Sequence, residues 1–327
     1  MNFKRKDELL QQIVQRGFLC IFMFISINLC AQNHLKEIVT QITDSSQTES
    51  VKAKALYNWV THHIVYDAKS FARNKVGYQT AERTFSRKKG LCYGYAKLYQ
   101  KMCEMAGLEC YVVLGYSKGY GYRDGSSFLR SNHAWNVVKV DTCWLMVDGT
   151  WGSGQIQSYS GLGDKVSGFF RRQTPLKTRM KFVSMPTDNY FGFSLSKIPI
   201  SHHPVDPKWQ FTEYPASIEK FTKDSSSAIL RYCNYNQNIT KIRGASEQVQ
   251  RLEEGQNGLE HNLQNHFDLA NAYLDYARSL AFNDSENADI QSIYHLYCMA
   301  DSLISRHKND LDSVFKYRQI ELNKHLY

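Results

Sequence analysis

The sequence lacks the patterns that mark several large functional classes. It contains no zinc-finger spacing of Cys and His, no phosphate-binding Gly-rich loop and no calcium-loop pattern. Its formal net charge of +9 is mild for 327 residues, and blocks of Lys and Arg are limited to Lys4–Lys6 and Arg87–Lys89. We therefore expect no metal, no other cofactor and no nucleic-acid partner.

Cysteine is too sparse for a dense disulfide framework. Six of the eight cysteines lie beyond residue 31, at positions 92, 103, 110, 143, 233 and 298. If Cys92 is a free nucleophile, the other five cannot all pair with one another. Cys103 and Cys110 flank the turn at Gly107 and could approach each other, but free structural thiols are the expected state.

The N-terminus has the pattern of a secretion signal. The basic residues Lys4–Lys6 precede an apolar run over residues 18–29, which has the length of a signal-peptide core and is short for a bilayer span. The small residue Ala31 predicts cleavage after it, so residues 1–31 are the expected signal peptide. We expect a secreted or periplasmic protein with no stable membrane span. An uncleaved membrane anchor is the alternative.

The segment around Cys92 has the features of a nucleophile at the start of a helix. Apolar residues at helical spacing predict a helix over residues 92–105, and Gly107 marks its end. The positive end of the helix dipole and nearby unpaired N–H groups both favour the thiolate, which attacks carbonyl carbon. The Cys92 N–H is a candidate oxyanion donor, and Gly90 and Gly94 are expected to leave room for a substrate backbone. The alternative is a buried structural cysteine.

Two predicted strands carry His133 and Asp148. They cover residues 133–140 and 144–150 and are joined at Asp141-Thr142-Cys143, where polar residues interrupt two apolar runs and a two-residue turn at Asp141-Thr142 is one possible connection. With a two-residue turn, side-chain alternation makes His133 and Asp148 diagonal neighbours on one face. A carboxylate in that position fixes the imidazole tautomer and stabilises the imidazolium. The alternative is a core histidine and a turn aspartate.

Aromatic and histidine residues near these strands have open roles. Trp135 and Trp151 either wall a substrate channel or pack in the core. The pairs His62-His63 and His202-His203 invite a metal site, but adjacent histidines point to different faces of a helix or strand. Core or surface histidines are the better expectation at all four positions.

These motifs resemble the transglutaminase-like superfamily of papain-like Cys–His–Asp enzymes. The resemblance is closest to the branch of the kyphoscoliosis peptidase and fungal cytokinesis proteins, with their bacterial secreted relatives. It covers residues 50 to 210 in outline. The segments that carry it, besides the two strands, are Ala55–Val60, His63–Asp67, Gly90–Ala96, Gly115–Tyr122 and His203–Gln210.

The resemblance implies a role for each motif residue. Cys92 would be the nucleophile, His133 the general base and acid, and Asp148 the carboxylate that orients the imidazole. A second oxyanion donor in papain-like enzymes is a side chain upstream of the cysteine. Gln79 is a candidate for it by residue type only.

The order of the predicted elements favours an α+β fold. A papain-like or transglutaminase-like core would pack the nucleophile helix on an antiparallel sheet. We expect a catalytic core with an extension over residues 32–215, in which residues 152–178 are an irregular connection. Residues 216–327 have helical periodicity at 269–280, at 290–304 and again at 314–320. They are the expected helical accessory domain, with a protein as its candidate partner.

The sequence therefore predicts a secreted cysteine enzyme acting on a protein or peptide substrate. Cys92 would form a thioester from a peptide or glutamine amide, resolved by water or by an amine. The resemblance favours hydrolysis over transamidation. The alternative is a catalytically inactive protein-interaction scaffold with the same fold, since folds and even complete triads are reused without turnover.

Overall fold

The computed structural model describes residues 32–44, 47–74, 77, 79–123, 126–159, 179–192, 201–212, 215–223, 244–283 and 290–324. The expected signal peptide and Cys233 lie outside them. The chain forms two compact units. Unit 1 contains the chain up to Val112 and Val138–Phe191, and unit 2 contains Val113–Val137 and the chain from Gly192 onward. Within the described ranges, none of the helices is both long enough and apolar enough to cross a membrane.

The helices are α1 (32–42), α2 (Glu49–His63), α3 (Ala68–Ala72), α4 (Ala81–Arg87), α5 (Cys92–Met105), α6 (Gly149–Ser153), α7 (Ile218–Lys223), α8 (Glu247–His261), α9 (His266–Asn283) and α10 (Ile290–Lys324). The strands are β1 (Val65–Tyr66), β2 (Lys89–Gly90), β3 (Cys110–Ser117), β4 (His133–Val140), β5 (Cys143–Val147), β6 (Gly154–Tyr159), β7 (Arg179–Ser184) and β8 (His202–Pro204). Short 3-10 helices occupy Asp188–Tyr190 and Pro207–Gln210.

Unit 1 is built around helices α2 and α5. Helix α2 begins after Thr48, whose side chain accepts a hydrogen bond from the Val51 N–H and so satisfies one donor of the first turn. Buried side chains of both helices share one core cluster with the sheet, including Leu56, Val60, Leu98, Met102 and Val138. Burying one such side chain stabilises the fold by roughly 1.5–3 kcal/mol. The core therefore fixes the position of α5.

A short parallel ladder sets the entry of the chain into α5. In strands β1 and β2, Tyr66 lies opposite Gly90. Lys88 adopts a left-handed conformation (φ 49°) at the end of α4, which turns the chain into β2. The Tyr95 hydroxyl of α5 donates a hydrogen bond to the Ile64 carbonyl oxygen (2.6 Å) just before β1. These contacts hold the residues that precede Cys92.

Four strands form one sheet in the order β5-β4-β3-β8. Strands β4 and β5 are joined by the two residues Asp141 and Thr142, and Asp141 has a φ of 53°. The predicted two-residue connection is therefore confirmed. Strand β5 ends at Val147 rather than at residue 150, because Asp148 caps helix α6 at this point.

The predicted fold class is confirmed. The chain is α+β, the helix that begins at Cys92 spans Cys92–Met105 as expected, and its buried side chains pack with Val138 and Val140 of the sheet in unit 1. Gly107 has a φ of 78°, which suits glycine at the end of the helix. Among the described residues from 216 onward, most are helical, as predicted.

Sequence expectations also differ from the structure after residue 152 and in the C-terminal helices. Residues 152–178 are not irregular throughout, because Gly154–Tyr159 pairs antiparallel with Arg179–Ser184, and residues 160–178 lie outside the described part. Helix α10 runs unbroken to Lys324, so the pattern at 314–320 continues one helix and does not begin a third. Helix α8 was missed because its residues are mostly polar.

The C-terminal helices belong to unit 2 together with residues 113–137 and 192–212. Leu269, Ala270 and Leu303 form their small apolar core. A buried ion pair between Lys208 and Asp206 (2.7 Å) lies beside α8, where Asn257 donates a hydrogen bond to Asp206 (2.9 Å). The predicted domain boundary at residue 215 does not coincide with a boundary between the units, and as a functional boundary it stays a prediction.

His203 in unit 2 is expected to make the protein acid-sensitive. Burial lowers the pKa of His203 from 6.5 to about 3, a shift that nearby His261 and Lys118 increase and Glu219 opposes. Gln210 uses its amide group to bond both the Ala216 N–H and the Ala216 carbonyl, so its Nε2 donates to the His203 Nδ1 (3.2 Å). The imidazole is therefore held neutral.

The unfolded chain takes up a proton at His203 below pH 6.5, whereas the folded chain does so only near pH 3. This contribution to stability is complete above pH 6.5 and is lost as the pH falls. Between pH 7 and pH 5, the free energy of unfolding of the wild type should fall by roughly 2 kcal/mol relative to His203→Asn. Urea denaturation at pH 7 and at pH 5 measures this difference. Equal changes in the free energy of unfolding for the wild type and His203→Asn would contradict the lowered pKa of His203.

Candidate active site

Cys92 is the first residue of α5 in unit 1. Its thiol is free and half-buried, and the residue before it, Leu91, provides no side-chain cap for the helix. The N–H groups in the first turn of a helix point toward its N-terminus and attract negative charge there. The Cys92 thiol lies at this end of α5. The sequence prediction of a cysteine at a helix N-terminus therefore holds in position, while its role as nucleophile stays a prediction.

Gln79 lies directly beside this helix start. Its side-chain Oε1 accepts a hydrogen bond from the Leu91 N–H at 2.9 Å. Because the Oε1 faces Leu91, the Nε2 donor group lies on the other side of the amide, and it has no acceptor among the described residues. Sequence reasoning selected Gln79 by residue type alone, and the structure adds its contact with the residue before Cys92.

The space beside Gly90 and Gly94 is not open to a substrate backbone, contrary to expectation. A Cβ at Gly94 would stand 2.5 Å from the Gln79 Oε1 and 2.6 Å from the Thr84 Oγ1, and one at Gly90 would stand 3.0 Å from the Thr84 Cγ2. The glycines instead admit the side chains of Gln79 and Thr84. They are needed so that Gln79 can reach the start of α5.

Asp148 is a fully buried carboxylate in unit 1. Its Oδ1 accepts hydrogen bonds from the Thr150 N–H (2.8 Å) and the Trp151 N–H (3.0 Å), and its own N–H donates to the Tyr190 carbonyl (2.9 Å). Such bonds offset the cost of burying a charged group. Asp148 is therefore the turn aspartate of the alternative interpretation, and its Oδ1 accepts both of these capping hydrogen bonds.

Two tyrosines on the Cys92 side of unit 1 stay protonated. Burial raises the pKa of Tyr66 well above its usual value, with further increases from the charges of Cys92, Tyr95 and Asp148. Burial likewise raises the pKa of Tyr95, whose hydroxyl lies 3.3 Å from the Ser153 hydroxyl. Neither tyrosine is therefore a base at neutral pH.

His133 is the first residue of β4 in unit 2 and is buried. Its ring lies 5.9 Å from the ring of Trp135 and 5.4 Å from the ring of His202, measured between centroids. The Ser201 hydroxyl lies 2.8 Å from the Nδ1 of His202. Sequence reasoning treated His202 as a core histidine. It is buried, but the pairing of β8 with β3, which sequence could not reveal, places it beside His133.

The two tryptophans have different environments. Trp135 is 1% exposed, and its ring covers Gly115, where a Cβ would stand 2.1 Å from the ring carbon Cη2. This position favours the core alternative for Trp135. Trp151 is half-buried in unit 1, with its ring edge-on to Tyr190 at 5.6 Å. A channel-wall role for Trp151 stays a prediction.

His62 and His63 are exposed, whereas His202 is buried beside His133. His62 and His63 are exposed on α2, where each Nδ1 lies within 2.8 Å of the carbonyl four residues earlier. In unit 2, the rings of His133 and His202 lie with their centroids 5.4 Å apart, and imidazole is an ordinary ligand for transition-metal ions. The expectation that no metal binds stays a prediction.

Residues 36–149 match the model of the transglutaminase-like superfamily, a segment that includes Cys92, His133 and Asp148. The kyphoscoliosis peptidase of Homo sapiens is 31% identical over 193 residues, which cover 58% of this chain and 26% of that protein. Hillarin of Drosophila melanogaster is 26% identical over 205 residues, covering 60% of this chain and 23% of that protein. A crystal structure of a candidate cysteine protease from Cytophaga hutchinsonii is 20% identical, with a TM-score of 0.29 over 36% of this chain and 37% of that chain.

Residues 36–149 are therefore similar to the transglutaminase-like superfamily. Within it, the chain is similar to the branch that includes the kyphoscoliosis peptidase and the cytokinesis protein 3 of Schizosaccharomyces pombe, as the sequence motifs implied. The chain spans about a quarter of the length of the curated relatives it matches, 26% of the human protein.

Proposed function

We propose that the protein is a secreted cysteine enzyme that opens peptide or glutamine side-chain amide bonds through a thioester on Cys92. The observation that carries the proposal is a free thiol at the start of α5, beside a side-chain amide donor, in a transglutaminase-like domain. Support for His133 and Asp148 as its partners comes from the two-residue connection between β4 and β5, because His133 begins β4 and Asp148 directly follows β5.

In the first half of the reaction, His133 takes the proton of the Cys92 thiol, and the thiolate attacks the amide carbonyl carbon. The developing oxyanion accepts hydrogen bonds from the Cys92 N–H and from the Gln79 Nε2. The C–N bond then breaks, and ammonia or an amine leaves with the proton from His133. The second oxygen of Asp148 orients the imidazole and stabilises its charged form.

In the second half, a nucleophile resolves the thioester. Water gives up a proton to His133 and adds to the acyl carbon, and Cys92 leaves as a thiol with that proton. If a lysine amine adds in place of water, the product is a new amide. We propose hydrolysis, because the superfamily branch to which the chain is similar includes a protein named a peptidase.

The alternative function is a catalytically inactive scaffold that binds proteins. Its specific support is a group of exposed apolar side chains on α10, where Tyr294 is 70%, Tyr297 42% and Met299 38% exposed. Exposed aromatic and methionine side chains are typical of protein-binding surfaces. On this account the transglutaminase-like core would bind peptide without turning it over.

The test is incubation with a glutamine-rich protein substrate, with and without a primary amine. New protein N-termini or ammonia release without the amine would support hydrolysis, and both should vanish in Cys92→Ala. If amine incorporation in the presence of the amine is faster than N-terminus formation and ammonia release in its absence, the result would contradict hydrolysis and support transamidation. Activity that survives in Cys92→Ala would contradict the thioester mechanism.

A further inference from the structure

The two residues before His133, Ser131 and Asn132, each form hydrogen bonds with another segment of unit 2. On the sheet side, the Asn132 side chain accepts a hydrogen bond from the Ser117 N–H (2.7 Å) and donates one to the Ser117 carbonyl (3.0 Å). The Asn132 N–H also donates to the Gly115 carbonyl (3.0 Å). Strand β3 therefore fixes Asn132, the residue next to His133.

On the helix side, Asp268 of α9 holds Ser131 with both carboxylate oxygens. The Asp268 Oδ2 accepts from the Ser131 N–H and the Oδ1 accepts from the Ser131 hydroxyl, each at 2.9 Å. Hydrogen bonds to a carboxylate are stronger than those between neutral groups, and two of them fix direction as well as distance. Ser131 and Asp268 are 137 residues apart in sequence.

The turn between α8 and α9 extends this attachment. The Asn262 Nδ2 donates to the Phe128 carbonyl (2.8 Å), and the Asn265 Nδ2 donates to the Tyr116 hydroxyl and to the Asp268 Oδ2 (2.6 Å each). Asn262, Asn265 and Asp268 are all buried. A loop that leads to His133 is thus anchored on a polar network contributed by the C-terminal helices.

We infer that Asp268 is a positioning residue for His133, so that the C-terminal helices are part of the catalytic scaffold as well as a candidate docking surface. The inference rests on the proposed function, in which His133 moves the proton. Asp268 acts only through Ser131 and the backbone to His133. Loss of this anchor would let the imidazole leave its productive position, and small displacements of reacting groups lower rates steeply.

The matched test compares Asp268→Ala with Asp275→Ala in the full chain. Asp275 lies on the same helix and bonds Arg251 and Arg278, not the segment before His133. The measured quantity is the rate of iodoacetamide alkylation of Cys92 from pH 5 to 9, resolved by mass spectrometry, with His133→Ala as the reference. Hydrogen exchange of the amides from 131 to 137 is followed in parallel.

Asp268→Ala should lower the His133-dependent part of the alkylation rate by about tenfold and alter its pH profile, with faster exchange at residues 131–137. Asp275→Ala should stay within about twofold of the wild type. If the wild type depends on His133 and Asp268→Ala stays within twofold of it, the inference is overturned. If Asp268→Ala does not fold, Ser131→Ala and Asp268→Asn each remove part of the attachment, and the same criterion applies to them.

Alkylation that is independent of His133 in the wild type would contradict the proposed function itself, and the inference with it. A loss of thermal stability in Asp268→Ala without a change in the His133-dependent pH profile would indicate a purely structural role and would also overturn the inference. Retention of part of the rate in Asp268→Asn, whose carbonyl oxygen still accepts from Ser131, would support positioning.

Discussion

Turnover should fall by about 10²–10³-fold in Gln79→Ala, the usual loss when one oxyanion donor is removed. The Gln79 Oε1 is bound by the Leu91 N–H at 2.9 Å, which directs the amide so that its Nε2 is left to donate to the oxyanion. Alkylation of Cys92 by iodoacetamide passes through no oxyanion, so its rate should change by less than about threefold. The comparison of the two rates separates a donor role from a general disturbance of the site.

The control is Gln79→Glu, which keeps an oxygen acceptor for the Leu91 N–H but has no amide donor. The oxyanion role predicts that Gln79→Glu loses turnover at least as strongly as Gln79→Ala while it keeps the wild-type melting temperature. If Gln79→Glu retains full turnover, Gln79 only shapes the segment before Cys92, and the oxyanion assignment is wrong.

Gly115→Ala should destabilise unit 2 by about 3 kcal/mol, at the upper end for overpacking. A Cβ at this position would stand 2.1 Å from the Trp135 Cη2 and 2.5 Å from the backbone oxygen of His203. The tryptophan could move at a cost, but the backbone oxygen belongs to the neighbouring strand β8, which pairs with β3 here. Strand β8 would have to shift.

Urea denaturation of Gly115→Ala measures this loss. The matched control is Gly77→Ala, because nothing lies within 4 Å of a Cβ at Gly77, and its free energy of unfolding should change by less than about 0.5 kcal/mol. Trp135→Leu should recover part of the loss when combined with Gly115→Ala, because the two side chains would otherwise compete for one space. A loss below about 1 kcal/mol for Gly115→Ala would show that the strand adapts easily.

Local patterns in the sequence predicted the elements that carry the site. Helix α5 begins at Cys92 and ends before Gly107 because its apolar spacing and its glycine stop act over a few residues. The hairpin connection at Asp141-Thr142 followed in the same way. The end of β5 was mispredicted, because the Asp148 side chain accepts hydrogen bonds from the Thr150 and Trp151 N–H groups and turns the chain into α6.

Contacts between distant segments were beyond sequence reasoning. The bond from Leu91 to Gln79 spans 12 residues and depends on two glycines that the sequence suggested were left open for substrate. The bonds between Ser131 and Asp268 join the segment before His133 to a helix that was predicted to be an accessory. No local pattern predicts which polar residue of a helix reaches a particular loop.

Selective alkylation tests most directly whether His133 activates Cys92. Cys143 is a free, exposed thiol of the same chain and serves as the internal reference. At pH 7 and below, iodoacetamide should modify Cys92 at least about tenfold faster than Cys143, and His133→Ala should abolish the difference. Equal rates for the two thiols in the wild type, or a Cys92 rate unchanged in His133→Ala, would contradict the account.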